Sequence, residues 1–578
     1  MNALAIRRLQ TDILILGAGG AGLFAALHAH QADPSLAITV AVKGLLGKCG
    51  CTRMVQGGYN VALAAGDSVE RHFMDTVEGG SWLPDQELVW TLVTGAIERV
   101  RELENELGCF FDRNADGTIH QKAFAGQTFD RTVHKGDLTG IEIMNRLSEA
   151  VWARGIGRLE EHRAHALIKS ADGAAIAGAL LIDMRTGEYV FVSARAVLLA
   201  TGGGPTMYRF HTPSGDKSCD GLALALAAGL PLRDMEMVQF HPTGLLAGPD
   251  TRMTGTVLEE GLRGAGGYLL DGAGRRFMID VDPRAERATR DIVSRAIFAE
   301  MRAGRTTPHG GVYLSMAHLG AENVRRQFKG MVERCADCGF DLADKVEVVP
   351  TAHYLMGGVE FTPDGTTELS GLFVAGEDAG GVHGANRLGG NGVANSTVFG
   401  GIAGTTMAGW VARAGEFRTP DAAALDAAVA GAEIFFAARD GTGDLESIRE
   451  RLHAAMWDDA GIVRDAAGLA RADTALAVLL VQLEAYAPPP NCRERAFNLH
   501  WHDWLNLKSL VVVSRIIVCA ARARENSRGA HYRDDFPDPG DIARSTYTRV
   551  RLREGNLACD AVPVRFTRVR PGESLLAA

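Results

Sequence analysis

The glycine-rich segment GAGGAG at residues 17–22 constrains the fold more than any other feature of this chain. It follows an apolar, β-type run at residues 11–16 and precedes a helical pattern at residues 23–32, and a second apolar run at residues 37–42 completes a β-α-β unit. In that context the glycines permit a tight turn and bring a pyrophosphate close to the N-terminus of a helix. The sequence therefore predicts a dinucleotide-binding α/β domain at its start.

The end of the second apolar run departs from the pattern of NAD-binding proteins. An acidic residue usually stands there and binds the ribose hydroxyls, whereas this chain has Lys43. A second glycine-rich turn, which begins with Ala200, Thr201 and Gly202, follows another strand-like run. Two such turns far apart in the sequence favour one extended cofactor that distant segments contact, such as FAD.

Arg387 stands between glycines in the segment HGANRLGGN at residues 383–391. Glycines let the backbone approach a ligand closely, and a guanidinium holds a carboxylate or phosphate through two parallel hydrogen bonds. The segment predicts a place where a small anionic ligand meets a cofactor. The alternative is a surface turn with a solvated arginine.

Length and composition bound the class of protein. The 578 residues are too many for one core, so several domains are expected. The net charge of −10 gives no basic surface for nucleic acid. We expect no membrane span, because no long uninterrupted apolar run is evident. The nine cysteines include one CxxC and one CxC without a second pair at metal-site spacing, so no metal site is expected and reduced, cytoplasmic thiols are the default.

The sequence pattern changes along the chain. Residues 239 to about 356 interrupt the glycine-rich strand pattern, which resumes at residues 371–377, and they are predicted to be an inserted domain. An Ala- and Leu-rich region with helical periodicity follows, and Trp501, His502 and Trp504 within it are expected to pack in a core. Helices are predicted at residues 421–439, 444–457, 463–485 and 497–526, and a short β-like tail at about 548–569.

With these motifs the chain resembles the flavoprotein subunits of succinate dehydrogenase and fumarate reductase, a family that includes L-aspartate oxidase. The resemblance runs almost from end to end. The segments that carry it are GAGGAG at 17–22, QGG at 56–58, ATGGG at 200–204, CDGLA at 219–223, QFHPTG at 239–244, EGLRG at 260–264, TRD at 289–291, HYLMGG at 353–358, HGANRLGGN at 383–391 and SRGAHYR at 527–533.

The resemblance implies an α/β, Rossmann-like FAD-binding domain that is split by a mobile α+β capping domain, with the active site between the two. A helical domain and a small C-terminal segment follow. The predicted division is residues 1–238 and 356–415 for FAD binding, 239–355 for the cap, 416–530 for the helical domain and 531–578 for the C-terminal segment.

The resemblance also implies the chemistry, which is hydride exchange between flavin N5 and a substrate C–C bond with a proton moving at the neighbouring carbon. Arg290 matches the proton donor of the family, and Glu260 and Arg263 match the relay that replaces its proton. The residues expected to bind a small carboxylic acid are His241, Thr243, His353, Arg387 and Glu259.

For FAD, the first glycine-rich turn is expected to face the pyrophosphate, and the segment around the QGG motif to line the isoalloxazine. Asp220 and Glu377 are expected to meet polar parts of the cofactor. The complete set of expected cofactor residues is Gly17, Ala18, Gly19, Gly22, Lys43, Cys51, Thr52, Gln56, Gly57, Gly58, Ala200, Thr201, Gly202, Asp220, Glu377, Arg387 and Asn391.

Two positions depart from the family. Respiratory members carry FAD covalently on a histidine five residues before the QGG glutamine, where this chain has Cys51; noncovalent FAD is expected, with a cysteinyl thioether as the alternative. A Thr or Ser that bonds the second carboxylate of the substrate normally precedes the relay glutamate, where this chain has Glu259. Two desolvated carboxylates repel each other unless one is protonated. Glu259 therefore either changes the distal group to an amide, hydroxyl or ammonium, or turns away.

Three functions remain open at this point. The first is the flavoprotein subunit of a fumarate reductase or succinate dehydrogenase that works with an iron–sulfur protein, in the cytoplasm and at the inner face of a membrane through its partners. The second is L-aspartate oxidase or a related stand-alone enzyme on a modified dicarboxylate. The third is a noncatalytic nucleotide-fold binding protein, which has no need for His241, Arg290, His353 and Arg387 together.

Overall fold

The computed structural model describes residues 5–248, 251, 253–414, 416–437 and 444–576. Its largest sheet is built on the strand Ile6–Leu16, which pairs in parallel with Ile38–Val42 on one side and Tyr189–Leu199 on the other. The observed strand begins earlier than the sequence indicated, because residues 6–10 pair with residues 189–193. The remaining strands of this seven-stranded sheet are Gly157–Glu160, His162–Lys169, Ile176–Asp183 and Leu372–Val374.

The carboxyl ends of five parallel strands meet at one edge of this sheet, although the strands come from distant parts of the chain. Leu372–Val374 pairs with the end of Tyr189–Leu199 and so returns the chain to the first sheet after the insertion. Ligands of open α/β sheets bind outside this edge. The helix Gly20–Ala32 begins there and packs against the long helix Asn391–Ala414.

The interrupting segment forms an antiparallel sheet of its own. Its four strands lie in the order Val238–Leu245, Lys345–Leu355, Val312–Ser315 and Tyr268–Leu270. The first and last strands in the sequence are neighbours, so the chain enters and leaves this sheet at the same place. Their register pairs His241 with Thr351, which brings His241 close to His353. The helix Arg290–Arg302 packs against the same strands.

The helical region follows the predicted pattern with shifted bounds. Each of its four helices begins after an Asp or Asn side chain that accepts a hydrogen bond from the backbone of the first turn. Part of the first predicted helix, including Arg439, lies outside the described residues. Trp501, His502 and Trp504 are buried, as the sequence indicated. The helices are Ala422–Glu433, Leu445–Ala454 (continued by a π turn at Ala455–Asp459), Ala466–Glu484 and Leu499–Ala523.

The other helices surround the two sheets. They are Val69–Gly79, Gln86–Asn105, Thr139–Ala153, Asp220–Ala227, Gly261–Gly264, Ala321–Gln327 and Lys329–Ala336.

The C-terminal tail is a hairpin that extends a sheet formed by earlier parts of the chain. Its strands Thr546–Arg553 and Asn556–Pro563 pair with each other, and the first also pairs with Leu232–Arg233. Leu232–Arg233 pairs in turn with Gly358–Val359. The chain just before the interrupting segment thus pairs with the chain just after it, and the hairpin extends this sheet on the other side of Leu232–Arg233. A third small sheet contains Tyr59–Asn60, Thr132–Val133 and Gln121–Lys122.

Among the described residues, two helices are long and apolar enough to cross a bilayer, which the sequence alone had not indicated. They are Ala466–Glu484 and Leu499–Ala523, and 67% of the apolar window of the second is buried within the protein. Core helices meet the same criteria of length and composition, and Leu499–Ala523 carries the buried Trp501 and Trp504. The expectation of no membrane span stays a prediction.

Candidate active site

A cavity of about 590 Å³ lies at the carboxyl edge of the large sheet and extends to the second sheet. One part is lined by residues that directly follow the parallel strands, among them Gly17, Lys43 and Thr201. The other part is lined by His241, Glu259, Glu260, Arg290, His353 and Arg387. One continuous space thus connects the two sets of residues that the sequence assigned to cofactor and substrate.

Most of the predicted site residues line this cavity, and four do not. Gly22, Thr243, Arg263 and Asn391 are absent from its wall. The remaining predicted residues in the wall are Ala18, Gly19, Cys51, Thr52, Gln56, Gly57, Gly58, Ala200, Gly202, Asp220 and Glu377.

The first glycine-rich turn leaves space for a phosphate group. Gly17 has φ 115°, and a Cβ there would lie 2.1 Å from the carbonyl oxygen of Ala200. A Cβ on Gly19 would have only the Thr52 hydroxyl nearby, at 3.7 Å. The N-cap residue Gly19 has no side chain to cap the helix Gly20–Ala32, and the Thr52 hydroxyl accepts from the N–H of Gly20 at 3.1 Å. The dipole of the helix favours an anion at this end.

Lys43 and Asp220 form an ion pair at this end of the cavity. Lys43 Nζ lies 2.9 Å from Asp220, and Arg163 donates to the same carboxylate at 2.7 Å. Burial alone would raise the pKa of Asp220, but Arg163 and Lys43 outweigh it and lower the pKa below its ordinary value. The lysine that replaces the usual acidic residue therefore shares with Arg163 a carboxylate at the start of the helix Asp220–Ala227.

The second glycine-rich turn is held by two neighbouring carboxylates. Asp378 accepts from the backbone N–H of Thr201 at 2.5 Å and of Gly202 at 3.2 Å. Glu377 accepts from the backbone N–H of Gly204 in this turn at 3.4 Å and from that of Leu355 at 3.0 Å. Burial raises the pKa of Asp378 to about 6 and that of Glu377 to about 7. Asp378 was missed because its role is to hold the turn, which no motif marks.

The residues of this part of the cavity fit FAD. The open helix N-terminus suits a pyrophosphate, and the segment from Cys51 to Gly58 forms a wall further along the same space. Burial raises the pKa of the Cys51 thiol to about 12, so the nucleophilic thiolate is disfavoured.

Arg290 and Glu260 form the centre of the substrate part. Arg290 Nη2 and Nε donate to one oxygen of Glu260 at 2.6 and 3.1 Å, and Nη1 donates to Gln239 at 2.9 Å. Arg263 Nη2 donates to the other oxygen of Glu260 at 3.2 Å. Burial opposes the ionised form of Glu260, but Arg290 and Arg263 lower the pKa below its ordinary value. Arg263 thus stands behind Glu260, one layer from the cavity.

Gly389 lets these groups come together. A Cβ at this position would lie 2.7 Å from Glu260 Oε2 and 3.1 Å from Arg290 Nη2. It would also lie 2.6 Å from the ring of Phe124, which lines the cavity. Any larger residue would displace the Arg290–Glu260 pair or the aromatic ring beside it.

His241 presents a hydrogen-bond donor to the cavity. The backbone N–H of Thr243 donates to His241 Nδ1 at 3.3 Å, so Nδ1 is the acceptor and Nε2 carries the proton. Burial, followed by the nearby Arg290, lowers the pKa of His241 well below its ordinary value and keeps the ring neutral. Thr243 itself donates to the carbonyl of Leu258, so it positions His241 and does not line the cavity.

His353 and Arg387 lie beside His241. The rings of His241 and His353 are 5.4 Å apart, and Thr212 is hydrogen-bonded to His353 Nδ1 at 2.8 Å. The Arg387 guanidinium lies 4.5 Å from the centre of the Tyr354 ring. Burial, together with Arg290, lowers the pKa of Arg387 to about 10.

The site carries excess positive charge. Arg263, Arg290 and Arg387 are buried, and within hydrogen-bonding distance the described residues offer these guanidiniums only the Glu260 carboxylate. His241 is neutral and adds no charge. Two positive charges therefore remain, which suits an anionic ligand with two negative charges.

Glu259 is buried and forms an ion pair with Lys122. Both of its oxygens lie 3.3 Å from Lys122 Nζ, and the side chain is 7% exposed. No sequence motif marks Lys122, which stands on a two-residue strand far from Glu259 in the chain. Glu259 is part of the cavity wall, while its carboxylate contacts Lys122, which is not.

Asn391 does not contact the cavity, contrary to the sequence-based expectation. Its side-chain oxygen accepts from Asn60 at 2.8 Å and is hydrogen-bonded to His72 at 2.9 Å. Its amide donates to Thr76 at 3.1 Å. Buried partners therefore satisfy the whole side chain, and its role is to anchor the glycine-rich segment from behind.

The fold and the site define an FAD-dependent oxidoreductase. Residues 12–393 match the family described as FAD binding domain, and residues 449–575 match the fumarate reductase flavoprotein C-terminal family.

Relatives of known name cover nearly the whole chain. The chain is 40% identical to a subunit of the fumarate reductase (CoM/CoB) of Methanothermobacter marburgensis, over 92% of this chain and 95% of that protein. It is 35% identical to the fumarate reductase flavoprotein subunit of Escherichia coli, over 91% and 88%. A solved structure of E. coli quinol fumarate reductase superposes with a TM-score of 0.91 at 33% identity, over 98% and 99% of the two chains. The chain belongs to the fumarate reductase and succinate dehydrogenase flavoprotein family.

Proposed function

We propose that this protein interconverts fumarate and succinate as the flavoprotein subunit of a fumarate reductase. The observation that carries the proposal is the Arg290–Glu260 pair, which Arg263 holds from behind. The pair lines the same cavity as Arg387 and the neutral His241 and His353. When bound, FAD supplies the hydride donor or acceptor for the C–C bond.

Arg387 and His353 are placed to hold one carboxylate of the substrate. The Arg387 guanidinium is buried, and its Nε has no partner among the described residues. A carboxylate that accepts from it would compensate the desolvated charge. The Nε2–H group of His241 is available to a second carboxylate and would stabilise negative charge that develops there.

Arg290 is placed to transfer a proton to the substrate carbon. A guanidinium is a weak acid, so the step needs a relay that replaces the proton of Arg290 as it leaves. Glu260 accepts hydrogen bonds directly from Arg290, and Arg263 donates to the second oxygen of Glu260. This network orients Arg290 and connects it to a proton carrier.

The relatives are named as subunits of fumarate reductases, which supports an assembly with other proteins. We propose an iron–sulfur protein as the electron partner and a location in the cytoplasm, at the inner face of a membrane through partner subunits. We also propose that residues 239–355 form a cap over the FAD-binding part, because most of this segment forms a sheet of its own.

The test is fumarate-dependent oxidation of reduced viologen by the FAD-loaded chain. Arg290→Lys should lower kcat by a factor on the order of 10² to 10⁴, because the general acid is misplaced. Arg302→Lys is the control, since Arg302 lies exposed at the other end of the same helix. Oxygen uptake with L-aspartate and no fumarate reduction would replace this proposal by an aspartate oxidase. Equal rates for Arg290→Lys and the unmodified protein would refute the assigned role of Arg290.

A further inference from the structure

Glu259 lines the substrate part of the cavity, and its carboxylate is paired with Lys122. Glu259 belongs to the cavity wall and Lys122 does not. The ammonium lies 3.3 Å from each carboxylate oxygen and 5.6 Å from the centre of the Phe124 ring. A molecule that enters this part of the cavity therefore meets the wall residue Glu259, whose carboxylate is paired with Lys122.

The backbone fixes the direction of Glu259. Glu259 and Glu260 are adjacent and point to opposite partners, Lys122 and Arg290. A Cβ on Gly261 would lie 2.5 Å from Glu259 Oε1, so the glycine leaves the space into which the carboxylate folds. Glu259 is consequently held beside the catalytic network.

Resting on the proposed function, we propose that Glu259 determines which distal group the substrate carries, and that a dicarboxylate binds together with one proton. The distal carboxylate enters as Glu259 takes up a proton from solvent, and the new O–H group donates to that carboxylate. A substrate with an amide at this end donates directly to ionised Glu259 and needs no proton.

The charges around Glu259 support proton uptake. Burial raises the pKa of Glu259, Lys122 opposes that rise, and Asp137 and Glu260 add to it. Arg334, from another helix, lines the same cavity. An incoming carboxylate brings a further negative charge close to Glu259 and raises its pKa again. The protonated form, which can donate a hydrogen bond, is therefore favoured in the complex.

The experiment measures the Kd of fumarate for the oxidised, FAD-loaded protein through the change in flavin absorption, from about pH 6 to about pH 9. Above the pKa of Glu259, the Kd should rise about tenfold for each pH unit, because one proton is bound with the ligand. Glu259→Gln should remove this slope. The monoamide of fumarate should bind the unmodified protein with a Kd that does not depend on pH.

A second variant and a second measurement keep the test independent of one substitution. Lys122→Met should move the onset of the slope to higher pH, because Glu259 then holds its proton more strongly. In weakly buffered solution, fumarate binding near neutral pH should take up about one proton in the unmodified protein and none in Glu259→Gln or Glu259→Thr.

Two outcomes separate this inference from the proposed function. If the protein reduces fumarate, and the fumarate Kd changes with pH equally in Glu259→Gln and in the unmodified protein, the role of Glu259 is refuted and the proposed function stands. Absence of both fumarate binding and fumarate reduction in every FAD-loaded preparation would overturn the proposed function, and the inference with it.

Discussion

Replacing Arg387 by methionine should stabilise the protein and abolish substrate binding. Arg387 is 6% exposed. Its Nη1 donates a hydrogen bond to the carbonyl oxygen of Leu388 at 3.3 Å, and its guanidinium lies against the face of the Tyr354 ring. In the part of the chain that the structure describes, no acidic side chain forms an ion pair with it. The cost of this buried charge is therefore only partly offset until an anion is bound.

The pKa of Arg387 gives the size of the free-energy cost of burying its charge. A fall of the Arg387 pKa from an ordinary value of about 12.5 to about 10 corresponds to about 3 kcal/mol of unfavourable free energy for the charged form. This penalty is fully present below about pH 10 and disappears as the pH rises from there to the unfolded pKa. Methionine has a similar length and no charge, so part of the 3 kcal/mol, on the order of 1–2 kcal/mol after lost contacts, should appear as added stability.

The assay compares urea denaturation midpoints and fumarate Kd values for Arg387→Met and the unmodified protein. The matched control is Arg131→Met, because Arg131 is equally buried but paired with both Asp67 and Asp75. Removing that guanidinium leaves two buried carboxylates unpaired and should cost about 3–5 kcal/mol. The reasoning fails if Arg387→Met destabilises the protein as much as Arg131→Met does, or if it still binds fumarate.

Two further predictions follow from the geometry. Gly389→Ala should lower kcat at least tenfold while FAD stays bound, because the added Cβ would press on Glu260 and Arg290. The control is Gly431→Ala, at a helix position where an added Cβ has nothing within 4 Å. This control should leave kcat unchanged and add about 0.5–1 kcal/mol of stability. Acid precipitation of the FAD-loaded protein should release all of its flavin, and Cys51→Ala should bind the same amount of FAD as the unmodified protein. If yellow colour stays in the pellet of the unmodified protein and is lost in Cys51→Ala, FAD is instead attached through a thioether.

The N-terminal β-α-β unit could be predicted from local pattern alone, because apolar runs and glycine spacing act over a few neighbouring residues. The helical region was predicted for the same reason, although its bounds shifted to the capping residues Asp421, Asp444, Asp465 and Asn498. The C-terminal hairpin was recognised as β-like, but its partner strand Leu232–Arg233 could not be inferred. Pairing between distant strands depends on the packing of the whole chain and leaves no local signal.

The same division applies to the site. The sequence by itself determined the types of residue at the site, since arginine and histidine in glycine-rich segments already indicated an anion beside a cofactor. Only the tertiary structure decided how they are used. In the folded protein Arg263 contacts Glu260 from behind, and Lys122 pairs with Glu259. The side chain of Asn391 is hydrogen-bonded to buried groups away from the cavity. The physical reason is that the energy of a charge depends on burial and on its neighbours within a few ångströms, and the fold alone supplies both.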